Sequence, residues 1–246
     1  MRECVSVEDF DACVKLQREV FGLDELEISP RRHLIVSRRA GGWTLGAFEG
    51  ERLVGFVHQM AAVRGKNEII GYSHMMAVRG EYQNKGLGAY LKWQQRQKSL
   101  EEGKTFLTWT WDPMQARNAH FNLNRLGVVV RSYGENFYGT DYSTSHAYDP
   151  GKAPGIDSDR LFADWELLGP RAVALAEGLE PEPLGSPAMT IEIPPDWYKL
   201  LLSDPHLARR EQLRVRREFQ AAFKEGLTCR AFERDPARPR YLLFSQ

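Results

Sequence analysis

The chain lacks the marks of several large protein classes. It has no run of the ~18 or more apolar residues that a bilayer-spanning helix requires, and its start, Met1-Arg2-Glu3-Cys4, has no apolar secretory core. A cytoplasmic location without a membrane partner is expected. Cysteine is scarce: Cys4, Cys13 and Cys229 are odd in number and scattered, without the paired spacing of a disulfide framework, a structural metal or a redox pair. They read as reduced core thiols, and no metal is expected. Net charge is missing too, because 33 Lys+Arg balance 33 Asp+Glu to a formal +0. No global field therefore recruits nucleic acid, and none is expected as a partner. There is no strong internal repeat.

What is present suits one large globular domain, or one domain with a smaller companion: 246 residues, 42% hydrophobic and 27% charged. After a short strand at Cys4 to Ser6, Ser6-x-x-Asp9 resembles a capping box opening a helix with Phe10, Cys13, Val14 and Val20 on one face. Ser29 is read as the cap of a second helix with Pro30 at its first position and Gly41-Gly42 at its end. Three strands follow as an antiparallel meander, Trp43 to Glu49, Leu53 to Val63 and Ile69 to Val78. Next come a helix from about Gly86 to Glu102, a strand at Thr105 to Trp111, a helix at about Met114 to Leu126 and a strand at Val128 to Tyr133. A last core strand is expected at Arg160 to Leu168, reached through a loop with Pro150, Gly151, Pro154 and Gly155.

Beyond a linker at residues 178–187, rich in Pro, Glu and Gly, lie a strand, a helical region and two strands. The basic run Arg209, Arg210, Arg214, Arg216, Arg217, Lys224 and Arg230 reads as the solvated side of a helix whose inner face is Leu207, Leu213, Phe219, Ala222 and Phe223. A partner surface is the alternative.

The most informative stretch is Met76 to Leu91: an apolar strand, a polar turn, then a glycine-paired helix start. Backbone N–H groups at a helix N-terminus have no intrahelical partner, and the aligned peptide dipoles favour an anion there. Gly86 and Gly88 lack Cβ, so amides from Gln83 to Ala89 can curl around a phosphate with Lys85 nearby. Two familiar phosphate loops fail on spacing. The mononucleotide P-loop needs glycines five apart followed by Lys and Ser/Thr, and the dinucleotide fingerprint needs Gly or Ala where Leu91 stands.

What remains is Gln-x-x-Gly-x-Gly/Ala, here Gln83-Asn84-Lys85-Gly86-Leu87-Gly88, which resembles the acyl-CoA site of the GNAT acyltransferase superfamily. The order of elements from Cys4 to Tyr133 also resembles the GNAT topology. The resemblance implies an α/β (α+β) fold: a mixed central sheet with helices on both faces in a GNAT domain at residues 1–168, followed by a small C-terminal α/β accessory lobe at 169–246. That lobe could complete a substrate pocket or make a homodimer contact.

The same resemblance implies an acyl-CoA co-substrate, acetyl-CoA or succinyl-CoA, handled by Met76, Val78, Gln83, Asn84, Lys85, Gly86, Leu87, Gly88, Ala89 and Asn118. The Met76 N–H would polarise the thioester carbonyl and Val78 would offer backbone groups to pantetheine. For both side chains, core packing is the bland reading. Asn118, whose offset from Gly127 differs from the common pattern, can equally satisfy local backbone near a helix start.

His74 is the nominee for the base that deprotonates the acceptor amine, because its ordinary titration lies near neutral pH. Strand alternation would put Tyr72, His74 and Met76 on one face. His58 is the reserve, and a structural histidine is the alternative for either. Where many family members have a Tyr that protonates the leaving thiolate, this chain has Leu123, so Tyr133 or Tyr138 is left to supply the proton, or the thiolate leaves with hydrogen-bond support alone.

Ser73-His74-Met75-Met76-Ala77-Val78, Trp109-Thr110-Trp111-Asp112-Pro113, Ala116-Arg117-Asn118-Ala119-His120-Phe121-Asn122, Asn136-Phe137-Tyr138-Gly139 and Asp159-Arg160 with Trp165 resemble a bacterial GNAT branch that includes succinyl-CoA-dependent amino-acid N-succinyltransferases. A carboxylate on either substrate would want a guanidinium; Arg160 is the first candidate, then Arg117 and Arg79, each with a structural ion pair as its alternative. The expected activity is acyl transfer to the amine of a small molecule such as an amino acid. Alternatives are a non-catalytic acyl-CoA-binding or assembly protein, suggested by Leu123, and a protein or RNA acyltransferase guided by the basic tail.

Overall fold

The computed structural model describes residues 1–22, 25–141 and 155–245. Pro150, Gly151 and Pro154 of the expected loop lie outside them. Ser6 and Asp9 form the expected capping box: the Ser6 hydroxyl accepts from Asp9 N at 3.2 Å while the Asp9 carboxylate accepts from Ser6 N. This opens α1 (Val7–Phe21), preceded by the short strand β1 (Arg2–Glu3), which lies earlier than the expected Cys4 to Ser6. Arg2 binds the Asp9 carboxylate with both guanidinium nitrogens, and this hydrogen-bonded pairing holds Asp9 well below the usual carboxylate range.

The second helix, α2 (Arg31–Arg39), has Pro30 as its N-cap residue and no side-chain cap, so Ser29 does not cap it. Then come β2 (Trp43–Glu49), β3 (Arg52–Arg64), β4 (Glu68–Val78), α3 (Leu87–Glu101) and β5 (Phe106–Trp111). The expected long helix after β5 is shorter: α4 (Ala116–His120) runs into a π-helical turn, Phe121–Arg125. It is followed by β6 (Val129–Gly134), β7 (Thr140–Asp141), β8 (Ile156–Asp157), β9 (Arg160–Glu166), α5 (Pro170–Ala176), β10 (Met189–Glu192), α6 (Trp197–Ser203), α7 (Pro205–Lys224), β11 (Thr228–Glu233) and β12 (Arg240–Phe244).

The chain forms two compact units, Met1–Trp109 with Glu166–Leu168, and Thr110–Trp165 with Gly169–Gln246. Their boundary differs from a cut after Leu168. In the first unit the strand order is β1-β2-β3-β4-β5, antiparallel except for the parallel β4–β5 pair. Apolar residues cover both faces. Phe10, Cys13, Leu16 and Leu34 of α1 and α2 pack with Leu53, Phe56 and Ala77, and on the other side Leu91 of α3 packs with Trp43, Leu45, Val57 and Val78. The mixed α/β class with helices on both faces of the sheet is therefore observed.

In the second unit the order is β9-β6-β11-β12-β10, antiparallel throughout, with a separate β7–β8 ribbon. The basic run departs from the amphipathic-helix reading twice: Arg230 lies on β11 rather than on α7, and Arg216 on the helix is not solvated. Arg216 is buried, and its guanidinium binds Asp157 at 2.5 Å, Asp159 at 2.8 Å and Glu135 at 2.6 Å. A buried guanidinium is tolerated because carboxylates surround it. Arg214 is paired with Glu211 and Glu218 along the helix. Cys4, Cys13 and Cys229 are free and buried. Among the described residues no helix is long and apolar enough to cross a membrane.

Candidate functional site

The phosphate-type loop is built as its sequence demands. Asn84 and Gly86 both adopt left-handed backbone, φ +60° and +87°, which turns successive N–H groups toward one side. Gly86 is the N-cap residue of α3 and no side chain caps that helix, so its first amides at Leu87, Gly88 and Ala89 are left to solvent or a ligand. Gln83 is engaged differently: its backbone N–H donates to Gly80 O at 3.1 Å and its side-chain amide donates to Val78 O at 2.8 Å. It braces the loop against β4, and the available amides begin at Asn84. A cleft of about 580 Å³ beside the loop is lined by Phe48, Glu49, Tyr82, Lys85, Leu87 and Tyr90, among others.

The strand that delivers this loop parts from its neighbour. The parallel β4–β5 register holds at Gly71↔Leu107 and Tyr72↔Thr108, whereas the antiparallel register with β3 runs on to Gly55↔Val78. From Ser73 onward, the β5-facing edge of β4 lies outside any ladder. Backbone groups on such an edge are free to bind an extended ligand.

Where the ladder with β5 stops, β4 also bulges. Gln59 pairs with Ser73 and His58 with Met75, so His74 is the extra residue. The bulge overturns the expected alternation. Met75 packs on the α1–α2 side and Met76 on the α3 side, where its Cε lies 3.6 Å from the place a Cβ on Gly88 would occupy. His74 meets His33 of α2 and Ser29 just before it, so His74 and Met76 point to opposite faces.

His74 is exposed, and its Nε2 lies 3.2 Å from Ser29 Oγ. Ser29 is fixed in turn by Gln17, whose side-chain amide donates to Ser29 O at 3.2 Å and accepts from Ser29 N at 3.0 Å. The His74 ring centroid is 5.3 Å from that of His33, 6.0 Å from His58 and 6.5 Å from Tyr72. Desolvation first, then His33, lower the His74 pKa from its ordinary value. His58 is fully buried, with Nδ1 2.8 Å from Thr44 Oγ1, and burial followed by the charges of His74 and His33 pushes its pKa down to about 3. It is a neutral ring that no substrate can touch, which removes it from the reserve base role.

Opposite the bulge, on the α3 side, Lys92 is buried. Its Nζ donates to Ser73 Oγ at 3.0 Å and Gln95 Oε1 at 2.7 Å and lies 3.6 Å from the Trp109 ring centroid. Gln95 and Ser99 both donate to Gln59 Oε1 at 3.0 Å. No sequence motif announced this network or His33.

In the second unit, Arg160 is half-buried. It donates to Asp159 O at 3.1 Å, stands over the Tyr138 ring at 5.1 Å, and makes no ion pair among the described residues. Arg79, by contrast, is tied to Glu19 and donates to Leu53 O at 2.8 Å, and Arg117 is exposed on α4. Tyr133 donates to Asp159 at 2.7 Å, and burial with that carboxylate raises its pKa far above the usual phenol value. The Tyr138 hydroxyl is exposed and 3.2 Å from Thr110 Oγ1. Leu123 is fully buried in the π turn, and Asn118 is exposed on α4.

No protein-family model matches the chain, and no curated protein sequence is significantly similar to it. Solved structures do match. A GNAT-family protein of Desulfovibrio desulfuricans has a TM-score of 0.54 and 14% identity, over 68% of this chain and 97% of that one. The fold is that of the GNAT acetyltransferases. The ribosomal-protein-S18-alanine N-acetyltransferase of Escherichia coli has a TM-score of 0.51 and 13% identity, over 67% of this chain and 93% of that one. An N-acetyltransferase of Staphylococcus aureus has a TM-score of 0.51 and 13% identity, over 68% and 98%. At these identities the likeness carries the GNAT fold and not the substrate.

Proposed function

We propose that this protein is an N-acyltransferase that moves an acetyl or succinyl group from CoA to the amine of a small molecule, with amino acids as the acceptor class. The observation that carries the reading is the coincidence, between Ser73 and Leu87, of an unladdered strand edge, a bulged exposed imidazole and an uncapped helix N-terminus behind two left-handed residues. The loop amides from Asn84 to Ala89, with Lys85, bind the pyrophosphate, and the free edge of β4 receives the pantetheine arm.

The chemistry is direct transfer. His74 takes a proton from the ammonium, the amine nitrogen attacks the thioester carbon, and the Met76 N–H stabilises the oxyanion that forms. The C–S bond then breaks, the thiolate takes a proton from its donor, and the second proton lost by the nitrogen replaces the one the donor gave up. Tyr138 is the better donor of the two tyrosines, because Tyr133 is half-buried and already donates to Asp159, whereas Tyr138 is exposed. Arg160, without an ion pair among the described residues, is the proposed binder of a substrate carboxylate. Asn118 is proposed for pantetheine on the resemblance alone.

Buried Leu123 favours one second reading, an acyl-CoA-binding protein without turnover. A screen of acetyl-CoA and succinyl-CoA against amino acids, polyamines and peptides, read as free thiol release, separates the two. Release with an amino acid supports transfer. Tight CoA binding with no release from any amine leaves only the binding protein.

A further inference from the structure

His33 was not singled out by any motif, yet it faces the proposed base directly. It sits on the inner side of α2, two residues beyond the helix start, and three imidazoles from α2, β3 and β4 form a triangle with centroid separations of 5.3, 5.7 and 6.0 Å. The Nε2 atoms of His33 and His58 are both buried and have no hydrogen-bond partner. Imidazoles this close repel one another once charged, so the cluster does not readily hold more than one proton. His58 is sealed and bound to Thr44, and so it is not the ring that takes that proton.

The other groups facing His74 do not alter this balance. Ser29 and Tyr72 present neutral hydroxyls, and the charged side chains of α1 and α2 nearby in sequence, Asp11, Glu19 and Arg31, are tied in the Arg31–Asp11 and Arg79–Glu19 ion pairs.

We propose that His33 is a positioning residue for the proposed base: packed 5.3 Å from it, the His33 ring disfavours a charge on the exposed His74 ring and so keeps that ring neutral and ready to accept a proton from the amine. This rests on the assignment of His74 as base. His33 touches neither substrate nor CoA and acts only through His74.

The test is the acid limb of kcat/KM against pH, together with NMR titration of the His74 ring protons in the ligand-free protein. His33→Gln removes the repulsion, so the His74 midpoint rises by about half a unit or more, as expected for a unit charge at this distance even in high dielectric. His33→Lys installs a fixed charge, and the midpoint falls. A merely structural role for His33 would not give opposite signs for the two variants. If the His74 resonance titrates unchanged in both, or moves the same way in both, the proposal is overturned. If the resonance moves as expected while the kcat/KM profile stays put, the coupling stands and the base assignment of His74 is what fails.

Discussion

Ser29 Oγ and His74 Nε2 meet at 3.2 Å, a hydroxyl from the segment between two helices holding an imidazole that the strand has bulged outward. Gln17, 2% exposed, fixes Ser29 from below with two backbone hydrogen bonds, so the hydroxyl is delivered from a rigid element. If His74 is the base, its ring must be aimed as well as neutral.

His74→Ala is therefore expected to lower turnover by about 10²-fold while leaving CoA affinity intact, because the loop proposed to bind the pyrophosphate is untouched. Ser29→Ala should lower kcat about fivefold, the worth of one hydrogen bond of roughly 1 kcal/mol, and Ser29→Thr should restore most of it. Steady-state kinetics with CoA binding by calorimetry checks both. Full activity in Ser29→Ala would show that the contact does not orient the ring.

The two loop glycines should separate backbone strain from ligand approach. A Cβ on Gly86 meets nothing within 4 Å, but φ is +87°, so Gly86→Ala is expected to destabilise the chain by about 1 kcal/mol and weaken CoA binding. Gly88 has no such backbone requirement, and its added Cβ would meet only the flexible Met76 Cε at 3.6 Å. Gly88→Val should leave the melting temperature near that of the parent while reducing CoA affinity about tenfold or more, because only the ligand needs that space. Unchanged affinity would place the pyrophosphate elsewhere.

Element by element, the first half of the chain was readable because its periods are clean. Ser6 with Asp9 announced the first helix, and β2 runs from Trp43 to Glu49 as its apolar run and the turn at Gly50 imply. The loop was readable for the same reason, since glycine spacing constrains backbone directly. Strand alternation misled at the decisive point. Period-two reading placed His74 with Met76, and the bulge, which depends on the pairing of His58 with Met75 and has no local signature, turned them to opposite faces. Ser29 was assigned to a helix cap from its residue type, but it sits one position too early and its hydroxyl serves His74. Arg216 was read as solvated because helical periodicity shows which face is apolar and not whether Asp157, Asp159 and Glu135 wait there for a charge. Long-range partners of polar groups are not local properties, so sequence pattern is silent about them.

Stability should carry the imprint of His58. Its folded pKa is about 3, against ~6.5 in an unfolded chain, so the unfolded state binds the extra proton as pH falls. The contribution of His58 is fully present above pH ~6.5 and is lost progressively between ~6.5 and about 3, at up to roughly 1.4 kcal/mol per pH unit. Denaturant unfolding at pH 7, 6, 5 and 4 should show this slope, and His58→Phe should flatten it even if the variant is less stable at pH 7. An equal slope in both proteins would assign the loss to other groups. Asp9, held low by Arg2, begins its own loss only as pH falls into the usual carboxylate range, so above pH ~5 the slope is not its doing.

Lys92 tests whether the bulge is held from behind. Its Nζ bridges Ser73 and Gln95 and faces Trp109, and burial alone drives its pKa well below the ordinary lysine value. Removing it leaves Ser73 Oγ and Gln95 Oε1 without a donor they now use, beside a void where the aliphatic stem lay. Lys92→Ala should therefore cost about 3 kcal/mol or more, whereas Lys92→Met fills the stem volume without burying an amine and should cost roughly half of that or less. If Ser73 fixes where β4 bulges, both variants should also reduce turnover beyond what the loss of folded protein explains, and the methionine variant is the one in which that reduction can be measured cleanly. Normal kcat in a fully folded Lys92→Met protein would mean that the pairing of Gln59 with Ser73 sets the bulge without help from the helix.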